Sequence, residues 1–336
     1  MATTQPTVDH FRIGLLFAVG SAFAFGSSGP FAKALMEAGW SPTAAVTARL
    51  AGGALLMAVF ATIVKPDWLR EALQHSKTVI AYGLIPIAGA QLCYFNAVAH
   101  LSVGVALLLE YTAPILVVGW VWATTRRRPG SLTLTGVMLA IAGIMLVLNI
   151  FAGAAHINLI GVGWAMAAAV CAACYFVMSS AVAADGEGLN SITLATAGLI
   201  VGAAAVAAVG ATGLMPLTFT TNDAVVAGWA TSWLVPVIAL ALIPTAIAYT
   251  LGIMGIARLQ PRFASLVGLS EVMFAVLAAW VLLGEAITPT QAIGGVVVLI
   301  GLTLARQGDR SEKLAKASWP DGPVNGSPCE QTVGRT

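Results

Sequence analysis

The chain has 336 residues, 59% of them hydrophobic and only 9% charged, with a mean hydropathy of +0.90 and a formal net charge of +2. Soluble domains carry about 25% charged residues, so this composition excludes an ordinary soluble enzyme or a nucleic-acid-binding module and implies a polytopic α-helical membrane protein. A balance this close to neutral identifies no partner; the positions of the charges carry the information.

Apolar runs bounded by charges, Gly and Pro predict ten spans, at 12–33, 42–64, 78–98, 102–123, 132–150, 158–181, 191–212, 232–255, 263–283 and 288–305. The first run, Ile13 to Phe31, is longer than a signal-peptide core and more spans follow it, which predicts an uncleaved membrane helix. Gly26, Gly29, Gly52, Gly53, Gly198 and Gly202 suit close helix contact. Cys171 and Cys174 on the sixth span have CxxC spacing, but two small side chains one turn apart in an apolar helix serve packing, and no second CxxC or His cluster accompanies them. The connection 212–232, with Asn222, Asp223 and Trp229, is long enough to hold an interfacial segment. Residues 1–11 are read as an N-terminal segment and 307–336, rich in Gly, Pro, Ser and charge, as a disordered tail.

Lys and Arg orient the spans. With the N-terminus in the cytoplasm, 14 of the 16 basic residues fall on the cytoplasmic side, leaving Lys33 and Arg49, so both termini are expected there. Residues 84–146 and 242–304 follow one hydrophobic plan at a constant offset of 158, which matches Pro86 with Pro244, Trp122 with Trp280, Gly136 with Gly294 and Gly143 with Gly301. This predicts an internal duplication into halves 12–150 and 158–306; with five spans each, the halves are inverted relative to one another.

Ionisable groups at membrane depth are expensive and therefore mark function. Glu110 lies about eight residues into the fourth span, ~12 Å deep at 1.5 Å per residue, and Glu271 lies at similar depth in the ninth. Arg49, in the second span, is expected as a counter-ion for one glutamate or as an attractor for a substrate carboxylate, with a glutamate taking an amine or a proton. A buried pair that only sets helix packing is the alternative. Gln91, Tyr94, Asn96, Tyr175, Ser179 and Tyr249 are candidate cavity residues, each equally suited to an interhelical hydrogen bond. Pro86, Pro114, Pro236 and Pro244 free backbone carbonyls, and three of them, Pro86, Pro114 and Pro244, are candidate hinges. Lys33 and Glu37, at i and i+4, are expected to pair in solvent. No GxxxxGK loop, dinucleotide fingerprint or metal-ligand cluster is present, so no cofactor is expected and transport would draw on gradients, with proton coupling a candidate.

Phe25-Gly26-Ser27-Ser28 with Lys33, Arg49, Ala106 to Pro114 (ALLLEYTAP), Leu266 to Val272 (LVGLSEV) and Leu283-Gly284-Glu285 resemble the EamA branch of the drug/metabolite transporter superfamily over residues 11–306. Phe25 stands where members commonly carry Trp. The resemblance implies an inner-membrane carrier with a cavity between two five-helix halves, exporting amino acids or related small metabolites. Two other readings stay open: an efflux carrier for cationic or lipophilic compounds, favoured by paired acids, and a non-transporting membrane scaffold or lipid-binding protein.

Overall fold

The computed structural model describes residues 8–126, 130–147, 158–184, 189–258 and 261–317. Six helical stretches are long and apolar enough to cross a membrane: Arg12–Glu37, Pro42–Val64, Ser76–Val98, Val103–Thr124, Ser191–Ala211 and Leu234–Gly255. Four shorter apolar helical stretches, Ser131–Val147, Leu159–Tyr175, Ser270–Leu283 and Pro289–Ala305, stand where the other predicted spans lie. Large apolar side chains such as Leu16, Leu55, Ile63, Trp280 and Ile293 face outward, while Arg49, Thr193, Thr196 and Thr245 are buried. That distribution suits a hydrocarbon solvent.

The first predicted span is two helices, α1 (Val8–Gly26) and α2 (Ser28–Glu37). They meet at Ser27, whose hydroxyl bonds the Ala24 carbonyl at 2.7 Å. Helix α3 (Pro42–Val64) starts at Ser41, an N-cap whose side chain accepts from the Ala44 N–H, with Pro at the first turn. A short α4 (Trp68–Gln74) leads into α5 (Ser76–Tyr82), a π-helical segment Gly83–Gly89 and α6 (Ala90–Val98). The fourth span is split into α7 (Val103–Glu110) and α8 (Ala113–Thr125). After α9 (Ser131–Val147) come α10 (Leu159–Ala184) and α11 (Ser191–Ala211), the latter capped by Asn190. A two-stranded hairpin, β1 (Ala224–Val226) and β2 (Trp229–Thr231), occupies the long connection. Helix α12 (Leu234–Ala241), a second π-helical segment Leu242–Ile247 and α13 (Ala248–Arg258) precede α14 (Pro261–Leu283) and α15 (Pro289–Ala317).

Two differences from the sequence reading have local causes. Helix α15 continues to Ala317, beyond the expected end at 305 and into the segment assigned to the tail. Residues 312–317, Glu-Lys-Leu-Ala-Lys-Ala, have high helix propensity. Residues 318–336 and the end of the fifth predicted span lie outside the described residues. The segment 212–232 carries a hairpin because Ala227 and Gly228, both at positive φ, make its two-residue turn.

Proline explains the π-helical segments. Pro86 and Pro244 lack an N–H and block the regular i−4 bond, so the ladder widens around each. The two segments sit at matching places in the 158-residue register. Packing follows the same correspondence. Helix α1 packs on α13 and α14, and α10 on α6, α7 and α8; α3 packs on Leu242–Ile247, and α11 on Gly83–Gly89. Helices α9 and α15 pack directly and antiparallel. A Cβ on Gly136 would lie 2.6 Å from the Gly301 carbonyl oxygen, and one on Gly143 would lie 2.8 Å from that of Gly294. Only glycine permits backbones this close.

Candidate functional site

Arg49 is the centre of the candidate site. It is 2% exposed and held by three elements besides its own. Its Nε donates to Thr245 Oγ1 at 3.2 Å and Nη2 to the Pro244 carbonyl at 3.2 Å. Nη1 donates to the Ser28 hydroxyl of α2 and to Gln91 Oε1 of α6. The guanidinium also lies 5.6 Å from the centroid of the Phe95 ring. Thr245 can serve because Pro244 withholds a donor from the Leu240 carbonyl; the Thr245 hydroxyl donates there at 2.9 Å and accepts from Arg49. Gly53 makes room, since a Cβ on it would come within 2.2 Å of Thr245 Cγ2.

The expected ion pair between Arg49 and a glutamate is not formed among the described residues, where the ion pairs are Lys33–Glu285 and Lys65–Glu71. Neutral acceptors hold the guanidinium instead, so its charge is solvated but not cancelled by direct contact. Glu110 and Glu271 are near enough to act electrostatically on Arg49 and on each other. Glu110 is the last residue of α7, at the break in the fourth span, and Pro114 is the second residue of α8. Tyr111, within that break, donates to Glu271 Oε2 at 2.6 Å and so joins the fourth span to α14.

Ionisable groups buried in a helical membrane core mark candidate substrate or ion pathways. The family comparison decides the class. The family model for EamA-like transporters matches residues 12–149 and again 159–307. The chain belongs to the EamA-like transporter family. Membership makes it a membrane transporter and not an enzyme. The chain is 28% identical to the threonine/homoserine exporter RhtA of Escherichia coli (strain K12) over 263 residues, 76% of this chain and 80% of that protein. It is 28% identical to RhtA of Salmonella typhimurium (strain SL1344) over 272 residues, 80% of this chain and 82% of that protein. It is 24% identical to the uncharacterized inner membrane transporter YicL of Salmonella typhimurium (strain LT2) over 300 residues, 87% and 95% of the two chains. A solved crystal structure of a protein shares the fold with a TM-score of 0.58 at 21% identity, covering 90% of this chain and 99% of that one.

The other sequence candidates divide in this EamA-like transporter. Gln91 touches Arg49, and Tyr94 is buried on the same helix. Tyr249 meets Phe25 edge-on with ring centroids 5.2 Å apart. Asn96 turns back on its own helix, donating to the Leu92 carbonyl at 2.7 Å. Tyr175 is 41% exposed and lies against Tyr82. The side chain of Ser179 lies outside the described residues. Pro86 and Pro244 sit in the π-helical segments, and the Pro244 carbonyl is a ligand of Arg49. Ser28, Thr245, Phe95 and Tyr111 join the site without having been singled out. Ser28 and Tyr111 lie in the quoted family motifs, and Thr245 follows Pro244. Phe95 carried no signal beyond its neighbours Tyr94 and Asn96.

Lys33 does not pair with Glu37. It pairs with Glu285 of the LGE motif, from the other half of the chain. Lys before Glu is the weaker order for an i,i+4 pair, and Glu37 is solvent-exposed while Glu285 is half-buried.

Proposed function

We propose that the chain is a secondary transporter of the inner membrane. It exports a small amino acid of the threonine or homoserine kind by alternating access between two inverted five-helix halves, 12–150 and 158–306. Both termini are cytoplasmic in this reading, on the strength of the 14-to-2 distribution of Lys and Arg. The loops at 38–41, 99–102 and 284–288 then face outward. The inverted architecture is supported by the antiparallel contact of the repeat-related helices α9 and α15 and by the matched π-helical segments.

The observation that carries the reading is Arg49, held by neutral acceptors opposite Glu110 and Glu271. A zwitterionic amino acid presents the complement: its carboxylate to Arg49 and its ammonium to the glutamates. Gln91, Tyr94 and Tyr249 line its place, and one glutamate carries the coupling proton when the substrate leaves. Pro86, Pro114 and Pro244 mark the weakest points of the helices and act as hinges. The names of the 28%-identical exporters supply the substrate class.

The test is flux of labelled threonine and homoserine in proteoliposomes with an imposed pH gradient. Flux that persists with unchanged pH dependence in both Glu110→Gln and Glu271→Gln removes the carboxylates from the mechanism. Transport of lipophilic cations but not of these amino acids favours the drug-efflux reading, and no flux of either favours the scaffold.

A further inference from the structure

Outside the central site, among the described residues, two lysine-paired carboxylates each bond the start of a helix of the opposite half, one on each face. On one face, Glu285 pairs with Lys33 of α2, and its second carboxylate oxygen accepts from the Val103 N–H at 3.2 Å, at the start of α7. Glu285 belongs to the second half; Lys33 and Val103 belong to the first. On the other face, Glu71 of α4 pairs with Lys65. It accepts from the Asn190 N–H at 2.7 Å and from the Thr193 hydroxyl at 2.6 Å, at the start of α11. Here the first half supplies the carboxylate and the second the helix end. Helix α3, with 23 residues and hence about 34 Å long, separates Lys65 from the face on which Lys33 lies.

Each carboxylate thus carries out two tasks: it neutralises a lysine and it caps a helix N-terminus of the opposite half, where unpaired N–H groups and the helix dipole favour negative charge. Both pairs are partly shielded, with side chains 20–23% exposed in the first and 14–29% in the second, so solvent screens them less than a surface pair. Burial opposes ionisation of Glu71, but the hydrogen bonds from Lys65, Thr193 and the Asn190 N–H outweigh it and hold the carboxyl below its ordinary range. Helix α7 ends at Glu110, so the outer carboxylate grips the element that carries a substrate residue.

We infer that Glu285 with Lys33 and Val103, and Glu71 with Lys65, Asn190 and Thr193, are two latches, one per face, each of which must open for the pathway to open on its side. Both are formed in this structure. The inference rests on the alternating-access reading, and it assigns to four charged residues outside the central site the control of which face opens.

The test reads distance and needs no substrate. Cys93, Cys171, Cys174 and Cys329 are replaced by Ser, and spin labels are placed at the exposed pairs Ala99/Ala286 and Gln74/Ser191, one pair per face. Pulsed electron resonance in nanodiscs then gives the separation of the halves at each face. Glu285→Gln is expected to raise the open-to-closed ratio about tenfold at Ala99/Ala286 and not at Gln74/Ser191; Glu71→Gln is expected to do the reverse. If either glutamate variant fails to purify as a monodisperse protein, Lys33→Gln, which removes the ion pair between halves on its face, or Thr193→Val, which removes a hydrogen bond between halves on the other, must show the same one-sided opening. Distances that stay at wild-type values at both faces, or that lengthen equally at both, overturn the latches. Latches that respond while wild-type protein moves no threonine or homoserine would leave this inference standing and remove the substrate assignment. Normal flux with unresponsive distances would do the opposite.

Discussion

Replacing Arg49 by Lys keeps the charge and removes the geometry, and the structure says which matters. A guanidinium has five N–H donors. Four are engaged: Nε with Thr245, both Nη1 hydrogens with Ser28 and Gln91, and one on Nη2 with the Pro244 carbonyl. One Nη2 hydrogen remains for a substrate carboxylate. An ammonium has three donors, too few for the same four acceptors, and none remains for the substrate. A hydrogen bond to a charged partner contributes about 1.5–3 kcal/mol, so Arg49→Lys is expected to lower kcat/KM about 10- to 150-fold. The loss should appear mainly in KM, because a contact made equally to bound substrate and to the transition state changes binding. The assay is initial threonine flux in proteoliposomes across a substrate series, with Arg49→Gln as the neutral comparison. If Arg49→Lys stays within about threefold of wild type while Arg49→Gln is inactive, charge alone suffices and the donor count is irrelevant.

Three further outcomes are expected. Thr245→Val strips the Leu240 carbonyl of its donor and Arg49 Nε of its acceptor, two buried groups at about 1–3 kcal/mol each. The thermal midpoint in detergent should fall, whereas Thr245→Ser should retain it; equal midpoints would show that water replaces the hydroxyl. Gly143→Val places a Cβ 2.7 Å from the Val298 N and 2.8 Å from the Gly294 carbonyl oxygen, with no flexible side chain to yield first. Overpacking of about 1–3 kcal/mol or more should follow, and Gly163→Val, where nothing lies within 4 Å, is the control in the same melt. For Glu71 the sign follows from a folded pKa held below the unfolded value. Its contribution is complete above the unfolded pKa, about 4.3, and is lost as pH falls through the folded one. The difference in thermal midpoint between wild type and Glu71→Gln should therefore be flat from about pH 5.5 to 8 and shrink in acid below about pH 4; a difference that shrinks near neutrality would contradict the cap.

The sequence carried the architecture further than the side-chain chemistry. Spans are long-range averages over about twenty residues, so exposure to lipid writes them plainly into composition. The matched Pro86 and Pro244 foretold two weakened helices, since a missing N–H acts locally. Which partner meets which charge depends on helix rotation and crossing, and one turn of error reverses the answer. Spacing alone therefore points Lys33 to its sequence neighbour Glu37, although its partner, Glu285, lies 252 residues away. For the same reason residue type alone points Arg49 to a carboxylate, of a glutamate or of a substrate. Its actual acceptors include a backbone carbonyl at Pro244, a group that no residue type announces.

The most telling comparison is between the two halves. Counted from the helix caps Ser41 and Asn190, Gly53 and Gly202 occupy the same place in α3 and α11. Each lets a π-helical segment approach: a Cβ on Gly53 would meet Thr245, and one on Gly202 would meet Ile87 at 2.9 Å. Thr245 and Ile87 are themselves equivalent in the 158-residue register. The residue corresponding to Arg49 is Gly198, where a Cβ would meet Ile87 Cδ1 at 2.7 Å. An Arg49–Thr245 hydrogen bond between the halves thus answers to a Gly198–Ile87 contact between them at the repeat-related place. Glu110 and Glu271 correspond to Gly268 and Ala113, which are equally apolar. In the proposed mechanism, symmetric helices let the two faces open in turn with similar geometry, while a polar set written only once provides a single site. A second Arg at Gly198 would find neither the Thr hydroxyl nor the room, so the fold excludes a duplicate site by packing as well as by charge.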